Sequence, residues 1–220
     1  MPNLSLMVID PSITHPEIES FNKIVESCPF PCTYHLPVLS EIDSISRSLP
    51  HSCGVIILGS AASVHDRTDW QLVLGEVLDK AIINDIPVLG ICFGHQLLCK
   101  ALGGEVEKAP HRTDSVSPLF SVGMDTLLSP TRKGLFTHQD HVTRLPPGAR
   151  RIISSKHCEN AGMRIAGKPV WGVQFHPEAS RTVIEQAHAD GDMSDSEREA
   201  FDQEHDGGDL LAAFAKLCMP

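Results

Sequence analysis

The stretch of sequence that decides the fold is Pro87-Val-Leu-Gly-Ile-Cys-Phe-Gly-His-Gln-Leu-Leu98. Residues 87–91 are apolar and predict a buried strand, and residues 94–102 have the apolar spacing of a helix. Cys92 lies between them with a glycine two positions away on each side. This is the spacing of a nucleophile elbow, a sharp strand-to-helix turn that exposes a reactive side chain. A helix N-terminus at this point would stabilise a thiolate and donate amide N–H groups to an oxyanion.

Residues 90–94 also fit a buried structural cysteine between two glycines that are small for packing reasons. The two interpretations differ in what they require of the rest of the chain. Catalysis at Cys92 needs a base, a group that orients the base, and an oxyanion hole.

The segments around the elbow alternate between strands and helices. Further strands are predicted at 4–9, 33–36, 53–58 and 170–175, and helices at 16–25, within 37–49, at 70–83 and at 210–217. Short β segments are expected at 105–108, 117–122, 134–136, 151–155 and 163–166, and residues 190–209 are expected to form a polar surface loop that leads into a helix. This order predicts an α/β fold of three layers, with a mostly parallel central sheet, flanking helices and a small antiparallel β portion. We expect a single domain over residues 1–220.

Composition excludes several classes of protein. The formal net charge is −10, and this acidic balance argues against a nucleic-acid partner, because no basic excess is available to neutralise phosphate. No apolar run approaches the roughly 20 residues that a membrane span needs, so no membrane association is expected. The 7 cysteines have no regular spacing, and we found no secretory signal, which together predict a cytoplasmic protein.

A second predicted strand ends in a candidate base, His176-Pro177-Glu178. Residues i and i+2 of an extended segment face the same side, so Glu178 would be able to orient the ring of His176. Gly59 follows a third predicted strand. Because sites in parallel α/β sheets lie beyond the carboxyl ends of the strands, these residues are expected to meet Cys92 there. An accidental His-Pro-Glu turn is the alternative.

Five segments of the chain together resemble the class I (triad) glutamine amidotransferase family. The resemblance is nearest to the branch that contains the amidotransferase domain of GMP synthetase, and it implies a flavodoxin-like fold. The segments that carry it are Gly90-Ile-Cys-Phe-Gly-His-Gln96, Ala101-Leu-Gly-Gly104, Gly172-Val-Gln-Phe-His-Pro-Glu178, Gly59-Ser-Ala-Ala-Ser-Val64, and Thr137-His-Gln-Asp-His-Val142 with Leu145-Pro146.

This resemblance implies a site that needs neither a cofactor nor a metal. Cys92 is expected to attack the side-chain amide of glutamine, with His176 as the base and Glu178 as its partner. The other implied site residues are the backbone N–H groups of Gly59 and Phe93 as an oxyanion hole, and Gln96, Thr137, His138 and Gln139 as contacts of the substrate.

Two features of the sequence complicate this assignment. The family commonly has a proline in the oxyanion loop where this chain has Ala61, and because backbone donors do not depend on that side chain, we expect the hole to be retained. The cluster His138-x-Asp140-His141 offers an alternative hypothesis of a metal site, since these residue types are metal ligands.

Three hypotheses of function follow. The leading one is a glutamine amide hydrolase that delivers ammonia to a separate synthetase or synthase partner, because the sequence contains no second active site and no phosphate-binding loop. The second is a stand-alone γ-glutamyl hydrolase or peptidase that acts on γ-glutamyl amines or peptides, which contain the same γ-amide. The third is a regulatory or binding relative without activity.

Overall fold

The computed structural model describes residues 4–40, 42–128, 131–191 and 193–219. The predicted segments 37–49 and 190–209 each contain one residue outside this description, 41 and 192 respectively. Within the described residues, no helix is both long enough and apolar enough to cross a membrane.

The described strands form one sheet of nine strands in the order β2-β1-β3-β4-β9-β8-β7-β5-β6. The strands are β1 (Ser5–Ile9), β2 (Cys32–His35), β3 (Ser52–Ile57), β4 (Val88–Ile91), β5 (Glu105–Ser121), β6 (Lys133–Arg144), β7 (Ala149–Ser155), β8 (Gly162–Ile165) and β9 (Val170–Val173). The first five strands in the spatial order pair in parallel. The pairs that join β9, β8, β7, β5 and β6 are antiparallel.

Helices cover both faces of the parallel part. They are α1 (Ile18–Glu26), α2 (Asp43–Ser48), α3 (Asp69–Ile83), α4 (Phe93–Ala101), α5 (Arg181–Ala189), α6 (Asp195–Ala200) and α7 (Gly207–Leu217). Side chains of a strand alternate between the two faces. Thus Leu6 and Val8 pack with residues of α1 and α7, whereas Met7 and Ile9 pack with residues of α2, α3 and α4. The predicted three-layer α/β fold with a mostly parallel sheet is confirmed.

The structure differs from the predicted elements in several places. Helix α5 was not expected, and strand β6 continues to Arg144 where only residues 134–136 were expected. Strand β5 is one segment of 17 residues where two short segments were expected. Its pairing with β6 continues through a shift of register between Lys108 and Thr113. Strand β9 ends at Val173, not at 175. The region expected to be a loop contains α6, whose start is stabilised by a capping box between Ser194 and Glu197. The continuous sheet supports the proposal of a single domain.

Candidate active site

Cys92 lies on the turn between β4 and α4 in a strained backbone conformation. Its φ is 48° and its ψ is −103°, a region that residues with a side chain seldom adopt. A Cβ atom at Gly90 would lie 2.5 Å from the carbonyl oxygen of Gly94, and one at Gly94 would lie 2.3 Å from the carbonyl oxygen of Ile57. The helix therefore approaches the sheet closely only because both positions are glycine. The turn has the form expected of a nucleophile elbow.

His176 reaches the elbow from the neighbouring strand. The Cys92 N–H donates to the carbonyl oxygen of Val173 over 2.8 Å, which joins the elbow to the end of β9. The chain then bends, and the His176 N–H donates to the carbonyl oxygen of Leu135 on β6 over 2.8 Å.

Glu178 is hydrogen-bonded to the imidazole of His176, with 2.8 Å between Oε1 and Nδ1. The two side chains make contact, as expected. The extended strand that was expected to place them on the same side is wrong. Strand β9 has ended, and Pro177 and Glu178 lie in a turn. The carboxylate is buried, with a side-chain exposure of 4%, and its second oxygen has no hydrogen bond from any described residue.

The charges around His176 favour an imidazolium. Burial acts to lower the pKa of His176, but the negative charges of Glu178 and of the Cys92 thiolate outweigh it, so the pKa stands well above its usual value. The Nε2 atom has no hydrogen-bond partner among the described residues. Because Nδ1 is bonded to Glu178, Nε2 is the ring nitrogen that is left to exchange a proton.

Gly59 and Phe93, the expected oxyanion-hole residues, both lie next to Cys92. A Cβ atom at Gly59 would be 2.8 Å from Cε1 of His176 and 3.7 Å from Cβ of Cys92. Phe93 is the first residue of α4. Within the described part of the chain, no hydrogen bond takes up the backbone N–H of either residue. N–H groups in the first turn of a helix have no partner in that helix, so they can bind an anion.

Hydrogen bonds hold the loop that carries Ala61 where the family commonly has proline. Ser60 Oγ donates to the carbonyl oxygen of Pro11 over 2.7 Å and accepts from the Ala62 N–H over 3.1 Å. Ser63 Oγ donates to Asp140 Oδ2 over 2.6 Å. These contacts fix the loop to two neighbouring segments without the rigidity of a proline ring.

The side chain of Gln96 lines the cavity, but its amide N–H groups already donate to other residues of the protein. Nε2 donates to the carbonyl oxygen of Asp140 over 2.7 Å and to Oε1 of Gln174 over 3.3 Å. Gln174 in turn donates from Nε2 to Sγ of Cys92 over 3.5 Å and is fully buried. Sequence reasoning missed Gln174 as a neighbour of the thiol. The signal was its place two residues before His176 in the quoted motif.

Thr137, His138 and Gln139 all line the cavity. The Thr137 hydroxyl accepts from Arg112 over 2.7 Å and donates to Asp114 over 2.8 Å, and its carbonyl oxygen is 3.8 Å from Sγ of Cys92. Burial, together with its charged neighbours, lowers the pKa of His138 to about 4, so this ring is neutral at neutral pH.

The residues of the alternative metal cluster do not converge. Asp140 lines the catalytic cavity with His138, but it accepts a hydrogen bond from Ser63. His141 lines a separate cavity. Among the described residues, no group of three or more His, Cys, Asp or Glu side chains has the arrangement to hold a metal ion.

One cavity of about 680 Å³ contains the elbow and the His176–Glu178 pair. Its floor is formed by the carboxyl ends of strands β1, β3 and β4, as expected for a parallel α/β sheet. Its sides come from β6, α5 and the segment that precedes α6. All residues predicted for the site border this cavity except Phe93, whose side chain is buried.

Comparison with known proteins assigns this arrangement to a family. A family model described as glutamine amidotransferase class-I matches residues 33–192. The chain belongs to the class-I glutamine amidotransferase family. It is similar to a protein of Sulfolobus acidocaldarius that is named as one subunit of GMP synthase (glutamine-hydrolyzing), with 41% identity over 143 residues that make up 64% of this chain and 74% of the relative.

Other relatives of this chain are longer. The glutamine-hydrolyzing GMP synthase of Porphyromonas gingivalis is 37% identical over 129 residues, or 57% of this chain, and the match spans 24% of the relative, about a quarter of its length. A solved glutamine amidotransferase from Methylobacillus flagellatus has a TM-score of 0.75 at 19% identity and covers 98% of this chain and 95% of its own. One from Thermotoga maritima has a TM-score of 0.72 at 22% identity, with 98% and 91% covered. The two structures share the fold.

Proposed function

We propose that this protein hydrolyses the side-chain amide of glutamine at Cys92 and supplies the ammonia to a separate synthetase partner. One observation carries the proposal: Cys92 lies on a strained strand-to-helix turn in the same cavity as the hydrogen-bonded pair of His176 and Glu178. Membership of the family supports the glutamine substrate.

The first half of the reaction forms a thioester. The Cys92 thiolate attacks the amide carbon while the proton of the thiol resides on His176, whose charge Glu178 stabilises. The backbone N–H groups of Gly59 and Phe93 donate to the tetrahedral oxyanion, which preorganised donors stabilise better than water does. The carbon–nitrogen bond then breaks, and His176 returns the proton to the leaving ammonia.

The second half regenerates the enzyme. His176, now neutral, takes a proton from a water molecule that attacks the thioester carbon. The carbon–sulfur bond breaks, glutamate forms, and the thiolate and imidazolium are restored. Gln174 assists both halves, because its amide N–H donates to the sulfur that carries negative charge at the start and the end.

The similarity to the Sulfolobus protein supports a partner. That relative is named as one subunit of an enzyme, so the corresponding role for this chain is a glutaminase component that works with a separate ammonia-accepting protein.

The test is release of glutamate and ammonia from L-glutamine by the purified chain, with Cys92→Ala as the inactive variant. Cys53→Ala is the matched control, since Cys53 is partly exposed and does not border the cavity. Labelling of Cys92 by a chloroketone analogue of glutamine provides a measurement that does not need turnover. Turnover that survives Cys92→Ala, or an electrophile that leaves Cys92 unlabelled, contradicts the proposal.

A further inference from the structure

The cavity around Cys92 is larger than glutamine hydrolysis requires. Its volume of about 680 Å³ lies within the range of sites for drug-sized ligands, roughly 300–1,000 Å³. Glutamine is a small amino acid, and its leaving group, ammonia, needs almost no space. Part of the cavity is therefore available to a larger substrate.

One wall of this cavity is apolar and belongs to α5. Val183, Ile184 and Ala187 occupy positions i, i+1 and i+4, which form one face of a helix, and all three border the cavity. Ala179 and Met193 extend the same wall. We refer to these five residues as the apolar wall.

The apolar wall lies beside the catalytic pair. Ala179 directly follows Glu178, and Ser180 begins α5 by accepting a hydrogen bond from the Val183 N–H over 3.3 Å. The wall is thus joined to Glu178 by a turn of the chain that is itself fixed. The wall lines the same cavity as Cys92 and His176.

Packing behind the wall holds it in place. Ala179 and Ile184 form a small cluster with Leu135 and Phe201, against which Met193 also packs. Leu135 is the residue whose carbonyl oxygen accepts from the His176 N–H. The wall and the base are therefore supported by the same strand, β6.

We propose that the apolar wall is a leaving-group subsite and that the protein hydrolyses γ-glutamyl amides whose nitrogen carries an alkyl chain. This inference rests on the function proposed above. The Cys92 thiolate attacks the γ-carbonyl carbon, the bond to the substituted nitrogen breaks, and His176 protonates the departing alkylamine. Water then hydrolyses the thioester to glutamate.

The cavity also contains carboxylates, so an apolar subsite must be distinguished from an acidic one. Glu17 and Glu197 also border the cavity and carry the charge that a cationic amine would seek, but Glu197 Oε1 already lies 3.5 Å from Nε of Arg112, which borders the cavity too. Burial, followed by the charges of Asp10 and Glu178, raises the pKa of Glu17. A charged amine of the same length as an alkylamine therefore distinguishes an apolar subsite from an acidic one.

Binding is measured first, with the full chain carrying Cys92→Ala so that no probe is consumed. The probes are L-glutamine, γ-glutamyl-butylamide and γ-glutamyl-aminopropylamide, whose terminal ammonium replaces the terminal methyl group. Calorimetry is expected to give a Kd for the butylamide roughly tenfold or more below that of the other two, because even one buried methylene changes affinity by that order. Equal binding, or preference for the ammonium probe, overturns the subsite.

Turnover then locates the subsite on α5. Ala187→Leu fills the wall, and Ala189→Leu makes the same change at an exposed position of the same helix that does not border the cavity. The ratio of kcat/KM for the butylamide to that for glutamine is expected to fall roughly tenfold in Ala187→Leu and to stay constant in Ala189→Leu. A ratio that both variants change alike overturns the inference.

The two proposals fail in different ways. Glutamine turnover that depends on Cys92, with no gain in affinity or rate for the butylamide, contradicts the subsite alone. Absence of both glutamine turnover and Cys92 labelling contradicts the proposed function. The binding comparison in Cys92→Ala still decides the subsite in that case.

Discussion

The charge of His176 depends on neighbours that come from different parts of the chain. Glu178 follows it in a turn, whereas Cys92 is brought to it by the pairing of β4 with β9. Burial alone would favour a neutral ring, and the two negative neighbours reverse that preference. An imidazolium is therefore the form of His176 that the geometry favours.

Replacement of the carboxylate in Glu178→Gln is expected to lower kcat for glutamine by about 100-fold or more, since proton transfer by a well-placed side chain contributes 10²–10⁴-fold. The raised pKa of His176 extends the protonated range of the ring to higher pH, and loss of the carboxylate charge lowers that pKa. The alkaline limb of the kcat/KM profile should therefore move to lower pH. Glu185→Gln, an exposed change on α5, is the control. An alkaline limb that does not move contradicts this role of Glu178.

Gln174 is predicted to stabilise the thiolate of Cys92 through its amide N–H. Gln174→Met keeps the length of the side chain and removes the donor. Alkylation of Cys92 by iodoacetamide should slow roughly tenfold, because a hydrogen bond to a charged group contributes about 1.5 kcal/mol or more. Gln186→Met, at an exposed position, should leave the rate unchanged. Equal rates for wild type and Gln174→Met would exclude a direct effect on the sulfur.

At the scale of elements, the elbow depends on how closely α4 packs on the sheet. The positions of Gly90 and Gly94 leave no room for a methyl group, and the atoms that it would meet belong to the backbone. Backbone atoms yield only if the helix moves. The distance between α4 and β3 thus determines the orientation of Cys92.

Gly94→Ala is therefore expected to reduce the free energy of unfolding by about 1–3 kcal/mol, as overpacking does, and to lower activity by displacing the elbow. Gly75→Ala is the matched control in α3, where an added Cβ meets nothing within 4 Å. It should stabilise the protein by about 0.5–1 kcal/mol, because alanine is the better helix former. Urea unfolding measures both effects. Equal stability changes in the two variants would contradict the packing argument.

Burial and pairing of the strands explain which elements could be predicted from the sequence. Strands β1, β3 and β4 are apolar on both faces, so their sequences alone indicate buried strands. Strand β5 contains Pro110 and polar residues that interrupt any local pattern, and its length comes from pairing with β6 and β7. Pairing between distant segments leaves little trace in a local pattern.

At the scale of the whole molecule, His95 of α4 contacts the distant segment that contains Asn160. It is fully buried between α4 and β9, where a Cβ atom at Gly172 would lie 2.4 Å from its Nδ1. Its Nε2 is 3.1 Å from the carbonyl oxygen of Asn160. Burial, the largest influence, lowers the pKa of His95 from 6.5 to about 4, so the folded protein holds this ring neutral.

This burial predicts that stability falls with pH in a defined range. Above pH 6.5 the ring is neutral in both states, and His95 has no effect. Between pH 6.5 and about 4 the unfolded chain binds a proton that the folded protein does not, so the free energy of unfolding falls as the pH falls. The contribution reaches about 3 kcal/mol near pH 4.

The slope of stability against pH tests this prediction. His95→Gln should be less stable than wild type at neutral pH but lose less stability between pH 6.5 and about 4. His157→Gln, at an exposed position, should keep the wild-type slope. Urea unfolding at several pH values measures it. Identical slopes for wild type and His95→Gln would show that His95 does not set the acid sensitivity.

The sequence by itself indicated the buried strands of the parallel sheet, the elbow at Cys92 and a carboxylate near His176, but not helix α5. These features depend on residues that are close in the chain: apolar runs, two glycines that flank a thiol, and a carboxylate two positions from a histidine. Local patterns carry them because the physical causes are local.

Only the tertiary structure decided the contact of Gln174 with the thiol, the separation of His141 from His138, the raised pKa of His176 and the apolar wall of α5. Each depends on which strands are neighbours and on how deeply a group is buried. Distances between elements and the exclusion of water arise when the whole sheet assembles, so no short segment of the chain contains them.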